Sequence, residues 1–365
     1  MKKSLIAMAV GAALAAPLAA QAASMVDVSG YADAIYTYTN EAFDNTGTKA
    51  NGKGSKNTAE KKFATDGEID FIASPADGVT ARVDLDVNTS GSTTRLEQAF
   101  FAWNVTEPVT VIGGIFNDPV GAEAEDRPNI NFTSHNAIFN ILSSQTAVQG
   151  NSFGNNVEGL AIAGGNSMVT GTLGLLNDLQ GVNEQNSIVA VINAMPMPGV
   201  ELEAGYVTQD KDGAKFNRTV AGVSGNPELA FGAGDVWDVN GSWSNIAGSG
   251  VTAGAEYLSA SSVVDGAYNL WAGIDLPQNF GLKARYERTN SDISKVDDTT
   301  AWTLYGSWQA ASNLLIALEY TNISADSVGS SDPNFIKSST FDAVTGQVDG
   351  NVFTAEFIAT LGDFK

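Results

Sequence analysis

Strict alternation of apolar and polar residues is the feature that most constrains the fold of this chain. Between Val79 and Val87 every odd position is apolar, whereas the even positions are Thr80, Arg82, Asp84 and Asp86. A period of two places successive side chains on opposite faces of a β-strand. The same pattern recurs in residues 26–39, 200–209, 280–288 and 314–322. The sequence therefore predicts an all-β protein whose strands each have one apolar and one polar face.

The first residues indicate export. Lys2 and Lys3 precede an apolar stretch from Leu5 to Leu18, and Ala20-Gln21-Ala22 matches the small-residue pattern of a signal-peptidase site. A membrane anchor helix needs about 20 unbroken apolar residues, and this stretch is too short. We therefore predict a signal peptide over residues 1–22 and a single domain over residues 23–365.

Composition removes several functional classes. The 365-residue chain has no Cys and one His, His135, which excludes disulfide scaffolds, iron–sulfur proteins and histidine-rich metal sites. Its formal net charge of −22 argues against nucleic acid as a partner, because a phosphate backbone requires clustered Lys and Arg. We predict no cofactor and no metal site.

The connections between strands favour a membrane barrel over a soluble β-sandwich, whose strands also alternate. Short turns alternate with long polar segments near residues 40–62, 117–155, 210–234, 259–266, 289–298 and 323–348. This rhythm is typical of a transmembrane antiparallel up-and-down β-barrel with short periplasmic turns and long extracellular loops. Aromatic residues also fall toward the two ends of the apolar faces, where membrane interfaces hold such rings. Examples are Tyr206, Trp237, Tyr286 and Trp302 at the long-loop end, and Phe280 and Trp308 at the short-turn end.

The alternating segments number about sixteen, with fourteen or eighteen also compatible. They lie near residues 26–39, 63–74, 79–88, 95–105, 109–116, 156–163, 168–177, 186–195, 200–209, 235–243, 251–258, 267–276, 280–288, 299–308, 314–322 and 349–361. Barrels of sixteen to eighteen strands leave a water-filled interior, whereas eight-stranded barrels fill it with side chains. The predicted function is therefore a diffusion channel in the cell outer membrane.

The connection from Asn117 to Asn155 is the longest stretch without alternation. Together with its flanks, LEQAFFAWNV, VIGGIFNDPVGAEAEDRPN, the Ser134-His135 step and VEGLAIAGG, it resembles the OmpL-like outer-membrane β-barrel porins of Gram-negative bacteria. The matching positions are Gly114, Phe116, Pro119, Gly121 and Glu123. The resemblance spans about a fifth of the chain and implies a multi-pass outer-membrane porin.

The position of this connection is similar to that of the loop in general trimeric porins that folds into the pore. The resemblance implies that the loop narrows the pore, with acidic loop residues facing a basic cluster on the wall. The implied constriction residues are Asp118, Glu123, Glu125, Asp126 and Arg127 on the loop, and Arg82, Lys283 and Arg285 on the wall. An extracellular loop exposed to solvent is the alternative.

Acidic residues dominate the polar faces and predict a weak preference for cations. They are Asp33, Asp66, Glu68, Asp70, Asp84, Asp86, Glu201, Glu203, Asp238, Glu256, Asp275, Glu319 and Glu356. A phosphate- or sugar-selective porin is the alternative.

The expected partners are outer-membrane lipid, lipopolysaccharide, small hydrophilic solutes and ions, and the outer-membrane assembly machinery. That machinery is expected to recognise an aromatic last residue, whereas Phe364 is penultimate here. The analogy with the general trimeric porins implies a homotrimer, and a monomer is the alternative.

Two other functional classes remain open. An outer-membrane hydrolase would have to use His135 with Ser134 or another serine, and adjacency in sequence is poor evidence for such a triad. An adhesin or binding scaffold would use the outer loops. We expect the protein not to be an enzyme.

Overall fold

Sixteen antiparallel strands form a closed barrel in a computed structural model of the protein. The structure describes residues 26–41, 58–88, 93–124, 126–146, 155–177, 186–208, 235–261, 264–291, 298–325 and 350–362. The strands are β1 (Val26–Glu41), β2 (Thr58–Ala76), β3 (Val79–Asn88), β4 (Thr93–Thr106), β5 (Val109–Asn117), β6 (Asn156–Gly165), β7 (Val169–Leu176), β8 (Ser187–Met197), β9 (Val200–Val207), β10 (Val236–Trp243), β11 (Val251–Ala260), β12 (Val264–Leu276), β13 (Phe280–Ser291), β14 (Thr299–Ala311), β15 (Leu314–Ala325) and β16 (Gly350–Leu361). Each strand pairs with its neighbours in the chain, and β1 pairs with β16 to close the barrel.

The predicted fold class and strand count are confirmed, and every predicted strand corresponds to one observed strand. The largest difference in bounds is at β2, which begins at Thr58, whereas alternation predicts a start near residue 63. Its first residues pair with the end of β1, from Glu41 opposite Thr58 onward. Backbone pairing thus extends this hairpin beyond the alternating segment, because ladder hydrogen bonds do not require an apolar face. The predicted signal peptide lies outside the described residues.

The barrel is apolar outside and polar inside. Leu304, Leu318 and Phe357 on the outer face are each about half exposed or more, whereas Asp84 and Asp238 on the inner face are fully buried. Aromatic side chains form cross-strand pairs on the outer face, including Tyr206 with Trp237 at a centroid distance of 4.2 Å. An outer surface of this kind is stable against hydrocarbon, and a polar interior is typical of transmembrane barrels.

Two local irregularities shape the wall next to the long connection. Gly114 in β5 has φ +128°, and a Cβ there would lie 2.2 Å from the carbonyl oxygen of Ala99, so that only glycine fits. In β4, Gln98 pairs with Asp84 and Leu96 pairs with Leu85. Glu97 is therefore the extra residue of a β-bulge, a feature that re-aims a side chain. Its side chain is buried.

The only α-helix in the part of the chain that the structure describes is α1 (Ala137–Thr146), within the β5–β6 connection. Asn136 caps it, because its side-chain Oδ1 accepts a hydrogen bond from the Phe139 N–H at 2.7 Å. None of the described helices is long and apolar enough to span a membrane.

Candidate functional site

The β5–β6 connection lies inside the barrel. Its described part, residues 118–124, 126–146 and 155, forms hydrogen bonds and ion pairs with inward-facing side chains of β1, β9, β11, β13, β15 and β16. We call residues 118–146 the inner loop.

Wall carboxylates hold the beginning of the inner loop by its backbone. Glu203 accepts a hydrogen bond from the Gly121 N–H at 3.1 Å, and Glu256 accepts one from the Ala122 N–H at 2.5 Å. Asp118 accepts one from the Val120 N–H at 3.0 Å. Burial raises the pKa of Asp118 to about 7, although the Val120 N–H acts in the opposite direction.

Arg127 is the loop residue that meets opposite charge on the wall. Its guanidinium lies 3.0 Å from Asp33 Oδ2, 3.2 Å from Glu356 Oε1 and 3.7 Å from Asp66 Oδ2. It also donates to the Thr133 carbonyl at 2.8 Å. Burial alone lowers the pKa of Arg127, but the neighbouring carboxylates, Glu356 first, raise it above its ordinary value. Arg127 therefore stays charged while it connects the loop to β1 and β16.

The middle of the inner loop is held by a carboxylate and by two bases. Glu319 accepts hydrogen bonds from the backbone N–H groups of Thr133 at 2.8 Å and Ser134 at 3.2 Å. Arg285 donates to the Ser134 carbonyl at 2.9 Å and forms an ion pair with Glu287 on its own strand. In the same region the Lys283 ammonium donates to the Asn131 carbonyl at 2.8 Å.

Glu123 bonds within the loop. Its two oxygens contact His135 Nδ1 at 3.0 Å and the Asn136 N–H at 3.0 Å. Burial raises the pKa of Glu123, but the bonds from His135 and Asn136 and the charge of Arg285 outweigh it and lower the pKa overall. The His135 ring stacks on Phe139 with 3.8 Å between centroids.

The contacts of Ser134 bear on the hydrolase alternative. The Ser134 hydroxyl accepts a hydrogen bond from Arg285 Nη2 at 2.9 Å, while His135 contacts Glu123. A serine nucleophile needs its hydroxyl within hydrogen-bond reach of the base. The described contacts of Ser134 and His135 do not include such a bond.

An apolar cluster fixes the other side of the inner loop. Ile138, Ile141 and Leu142 of α1 are buried with Val120 against inward-facing residues of the wall. The wall members include Ile112, Val157, Leu176, Val189, Val207, Val236 and Leu258. Burying these side chains contributes a favourable ~1.5–3 kcal/mol each. The inner face is therefore apolar where α1 packs and charged elsewhere.

The wall base Arg82 is enclosed by acids of its own wall. Its Nε lies 2.7 Å from Asp84 Oδ2, and its Nη2 lies 3.4 Å from Asp70 and 3.8 Å from Glu68. Asp126, from the inner loop, is buried beside this group. Burial raises the pKa of Asp126, and the charge of Asp70 raises it further, while the charge of Arg82 acts to lower it.

Seven of the eight predicted constriction residues are thus described, and all seven lie in the barrel interior. Glu125 lies outside the described residues. The direct contacts follow the expected pattern of loop acids facing wall bases only in part. Asp126 lies beside Arg82, but Glu123 bonds within the loop, Arg82 pairs with wall acids, and Arg127 reaches the acidic wall.

Sequence reasoning missed several participants. Alternation identified Glu203, Glu256 and Glu319 as inward-facing acids but carried no signal that they bind the loop backbone. Glu97 was not predicted to face inward, because a bulge breaks the alternation at this residue. Tyr305 and Trp271 face inward and pack with Phe132 of the loop. Each lies an odd number of residues after an outward-facing side chain of its own strand, Trp302 and Leu270 respectively, so alternation could have identified both as inward-facing.

Comparisons with known proteins match this architecture. A family model described as Gram-negative porin matches residues 7–341. Among solved structures, an anion-selective porin from Comamonas acidovorans aligns with a TM-score of 0.61 at 10% identity, covering 93% of this chain and 100% of that chain. The outer-membrane channel DcaP of Acinetobacter baumannii aligns with a TM-score of 0.60 at 12% identity, covering 94% and 99%.

A third solved structure, OmpT of Vibrio cholerae in a trimer form, aligns with a TM-score of 0.57 at 13% identity and covers 93% of this chain and 100% of that chain. At such low identity these likenesses concern the fold alone. A search of curated proteins finds no significant match.

Proposed function

We propose that this chain, which belongs to the Gram-negative porin family and is an outer-membrane channel for passive diffusion, has a pore that the inner loop narrows. We further propose that this pore weakly prefers cations. The observation that carries the proposal is the attachment of the inner loop to wall side chains by Glu203, Glu256, Glu319 and Arg127. A segment held at so many points inside a barrel reduces the open cross-section and stays in place during conduction. The narrower OmpL-like classification stays a prediction.

The charges of the interior support cation preference. Lys283 and Arg285 each donate a hydrogen bond to a loop carbonyl, and Arg285 also pairs with Glu287. Arg82 forms ion pairs with Asp84 and Asp70. Bases that are paired in this way contribute little net positive field, whereas the chain carries 41 acidic against 19 basic residues. A pore whose lining is on balance acidic concentrates cations.

An anion- or phosphate-selective pore is the nearest alternative. One structural neighbour is described as anion-selective, but selectivity depends on side chains and a fold does not transmit it. A sugar-selective pore would need exposed ring faces, whereas Phe132 and Tyr305 are buried against each other at 5.6 Å between centroids. An adhesin would act through the outer loops, which lie outside the described residues.

Two single substitutions with opposite expected effects test the proposal. Arg127 and Asp66 are 3.7 Å apart, and both side chains are 23% exposed. In planar bilayers under a KCl gradient, Arg127→Gln should raise the K⁺ over Cl⁻ permeability ratio, and Asp66→Asn should lower it, each by about two- to threefold. Each substitution removes one charge at one location, so each is the control for the other.

The same recordings distinguish the outcomes. Stable open steps with a cation-selective reversal potential support the proposal when the two variants move in opposite directions. Anion preference of the wild type would contradict it. If both variants keep the K⁺ over Cl⁻ permeability ratio of the wild type, the Arg127 region does not line the conducting path.

The proposed assembly is a homotrimer in lipid and lipopolysaccharide, reached through the outer-membrane assembly machinery. The family supports the outer-membrane location, and one structural neighbour has a trimer form. Chemical crosslinking in intact outer membranes, followed by electrophoresis, should give a ladder that ends at three copies.

A further inference from the structure

We infer that Glu68, Glu97 and Asp126 form a binding site for one divalent cation of the Ca²⁺ type, which ties the inner loop to the wall. These residues come from β2, from the bulge in β4 and from the inner loop. One carboxylate oxygen of each lies within 4.8 Å of the others, and all three side chains are buried. The inference is independent of the solute preference proposed above.

The strongest observation is the environment of Glu68. Both of its carboxylate oxygens are buried without a hydrogen-bond partner, and the residue is 2% exposed. Arg82 Nη2 is 3.8 Å from Glu68 Oε1, beyond hydrogen-bond distance, because Arg82 is directed to Asp84 and Asp70. A buried carboxylate without donors is costly and needs either a cation or a proton.

Asp126 has a smaller deficit, at one of its two oxygens, from the side of the loop. Its Oδ2 is buried without a hydrogen-bond partner, and the residue is 2% exposed. Glu68, Asp70, Asp84 and Asp126 lie around the guanidinium of Arg82, and Glu97 adds a fifth carboxylate beside Glu68 and Asp126. This leaves a formal excess of four negative charges, which one divalent cation would halve.

The bulge in β4 is the second independent observation. A regular strand would direct Gln98 inward and Glu97 outward toward lipid, but the extra residue turns both side chains into the interior. A charged side chain facing lipid is costly, and the bulge avoids that cost by turning Glu97 inward. The bulge therefore places a third carboxylate beside those of Glu68 and Asp126.

The spacing fits Ca²⁺ better than a smaller ion. Ca²⁺ takes six to eight oxygen ligands at about 2.3–2.6 Å in a flexible geometry, so opposite ligands are about 5 Å apart. Three carboxylates offer up to six oxygens, and Tyr31 is close enough to interact with Glu68, Glu97 and Asp126. Mg²⁺ prefers shorter bonds and retains its waters.

Calorimetric titration with CaCl₂ tests the site. The full-length protein in detergent, treated with EDTA and dialysed, should bind one Ca²⁺ per chain at pH 7.5. Glu68→Gln and Asp126→Asn should each weaken binding at least tenfold, since each removes a charged ligand and keeps the shape. Asp27→Asn, which removes an exposed acid at the start of β1, is the control and should leave binding unchanged.

Thermal unfolding gives a second measurement that does not depend on conductance. Added Ca²⁺ should raise the transition temperatures of the wild type and of Asp27→Asn. It should not change the transition temperatures of Glu68→Gln and Asp126→Asn. Asp126 belongs to the loop, so its variant tests the site even if Glu68→Gln fails to fold.

Two results would overturn the inference. If the wild type binds no Ca²⁺, Glu68 and Asp126 relieve their repulsion by sharing a proton instead. Binding that survives both substitutions would locate the cation elsewhere, for example among acids at the rims.

Discussion

At the residue scale, carboxylates of the inner wall act as acceptors for backbone N–H groups of the inner loop. Glu319 accepts hydrogen bonds from Thr133 and Ser134, Glu287 accepts one from Ala137, and Glu203 accepts one from Gly121. A charged acceptor makes a hydrogen bond about twice as strong as a neutral one. These acids have a structural role in addition to their charge, so replacing them tests loop anchoring and selectivity together.

Asp118 gives a prediction about pH. Its ordinary pKa is 3.8 and its pKa here is about 7, so the folded protein binds an extra proton between these values. Folding stability should therefore fall as pH rises from about 4 to 7 through this group. Because Asp118 is half-buried and water screens part of the effect, we expect a loss of about 1 kcal/mol.

Asp118→Asn removes the ionisation and keeps an oxygen for the Val120 N–H. The transition temperature of the variant should exceed that of the wild type at pH 8, and the difference should disappear at pH 4. Circular dichroism melts in detergent at pH 4, 6 and 8 measure this. A difference of the same size at every pH would show that Asp118 does not titrate in this range.

At the element scale, the helix α1 gives the inner loop a defined shape. One face packs on the apolar part of the wall through Ile138, Ile141 and Leu142. Its first turn is fixed by the cap from Asn136 and by the bond from the Ala137 N–H to Glu287. A ten-residue helix is too short to be stable alone in water, so these tertiary contacts determine whether it forms.

The Asn136 cap can be tested with a conservative variant. Asn136→Ala leaves the Phe139 N–H without its acceptor and should cost the helix about 1 kcal/mol. Asn136→Ser keeps a capping oxygen and should lose much less. Hydrogen exchange of a peptide within residues 137–146 should be faster in the alanine variant by about fivefold, with peptides of β13 as the internal reference. Equal exchange in both variants would mean that packing alone holds α1.

At the scale of the whole molecule, the barrel separates two environments. Its outer face is apolar and meets lipid, and its inner face carries most of the buried charge, such as Asp33, Glu68, Asp238 and Glu356. An interior field of this kind acts on every ion that enters and is screened by salt.

The proposed cation preference should therefore depend on ionic strength. The Debye length falls from about 10 Å at 0.1 M to about 3 Å at 1 M salt. The K⁺ over Cl⁻ permeability ratio from reversal potentials should be largest in dilute KCl and approach the bulk ratio near 1 M. The flux of an uncharged sugar into liposomes is the control and should not change. A ratio independent of salt would point to short-range contacts in place of a long-range field.

The sequence alone determined the architecture because alternation depends only on neighbouring residues. Every strand faces lipid on one side and water or protein on the other, so its pattern can be read locally, as in Val79–Val87. The apolar outside, the inward direction of Arg82, Lys283 and Arg285, and the porin family followed from that pattern and from the segment around Gly114 and Glu123.

Which charges meet depends on the three-dimensional path of the chain. Arg127 contacts Asp33 and Glu356, which are 94 and 229 residues away in the chain, and Glu123 bonds to His135 rather than to the wall. The bulge at Glu97 depends on pairing between β3 and β4, which composition does not encode. Strand faces are a local property, whereas partners inside a closed barrel depend on the path of a loop across its interior. That path is set by many long-range contacts acting together.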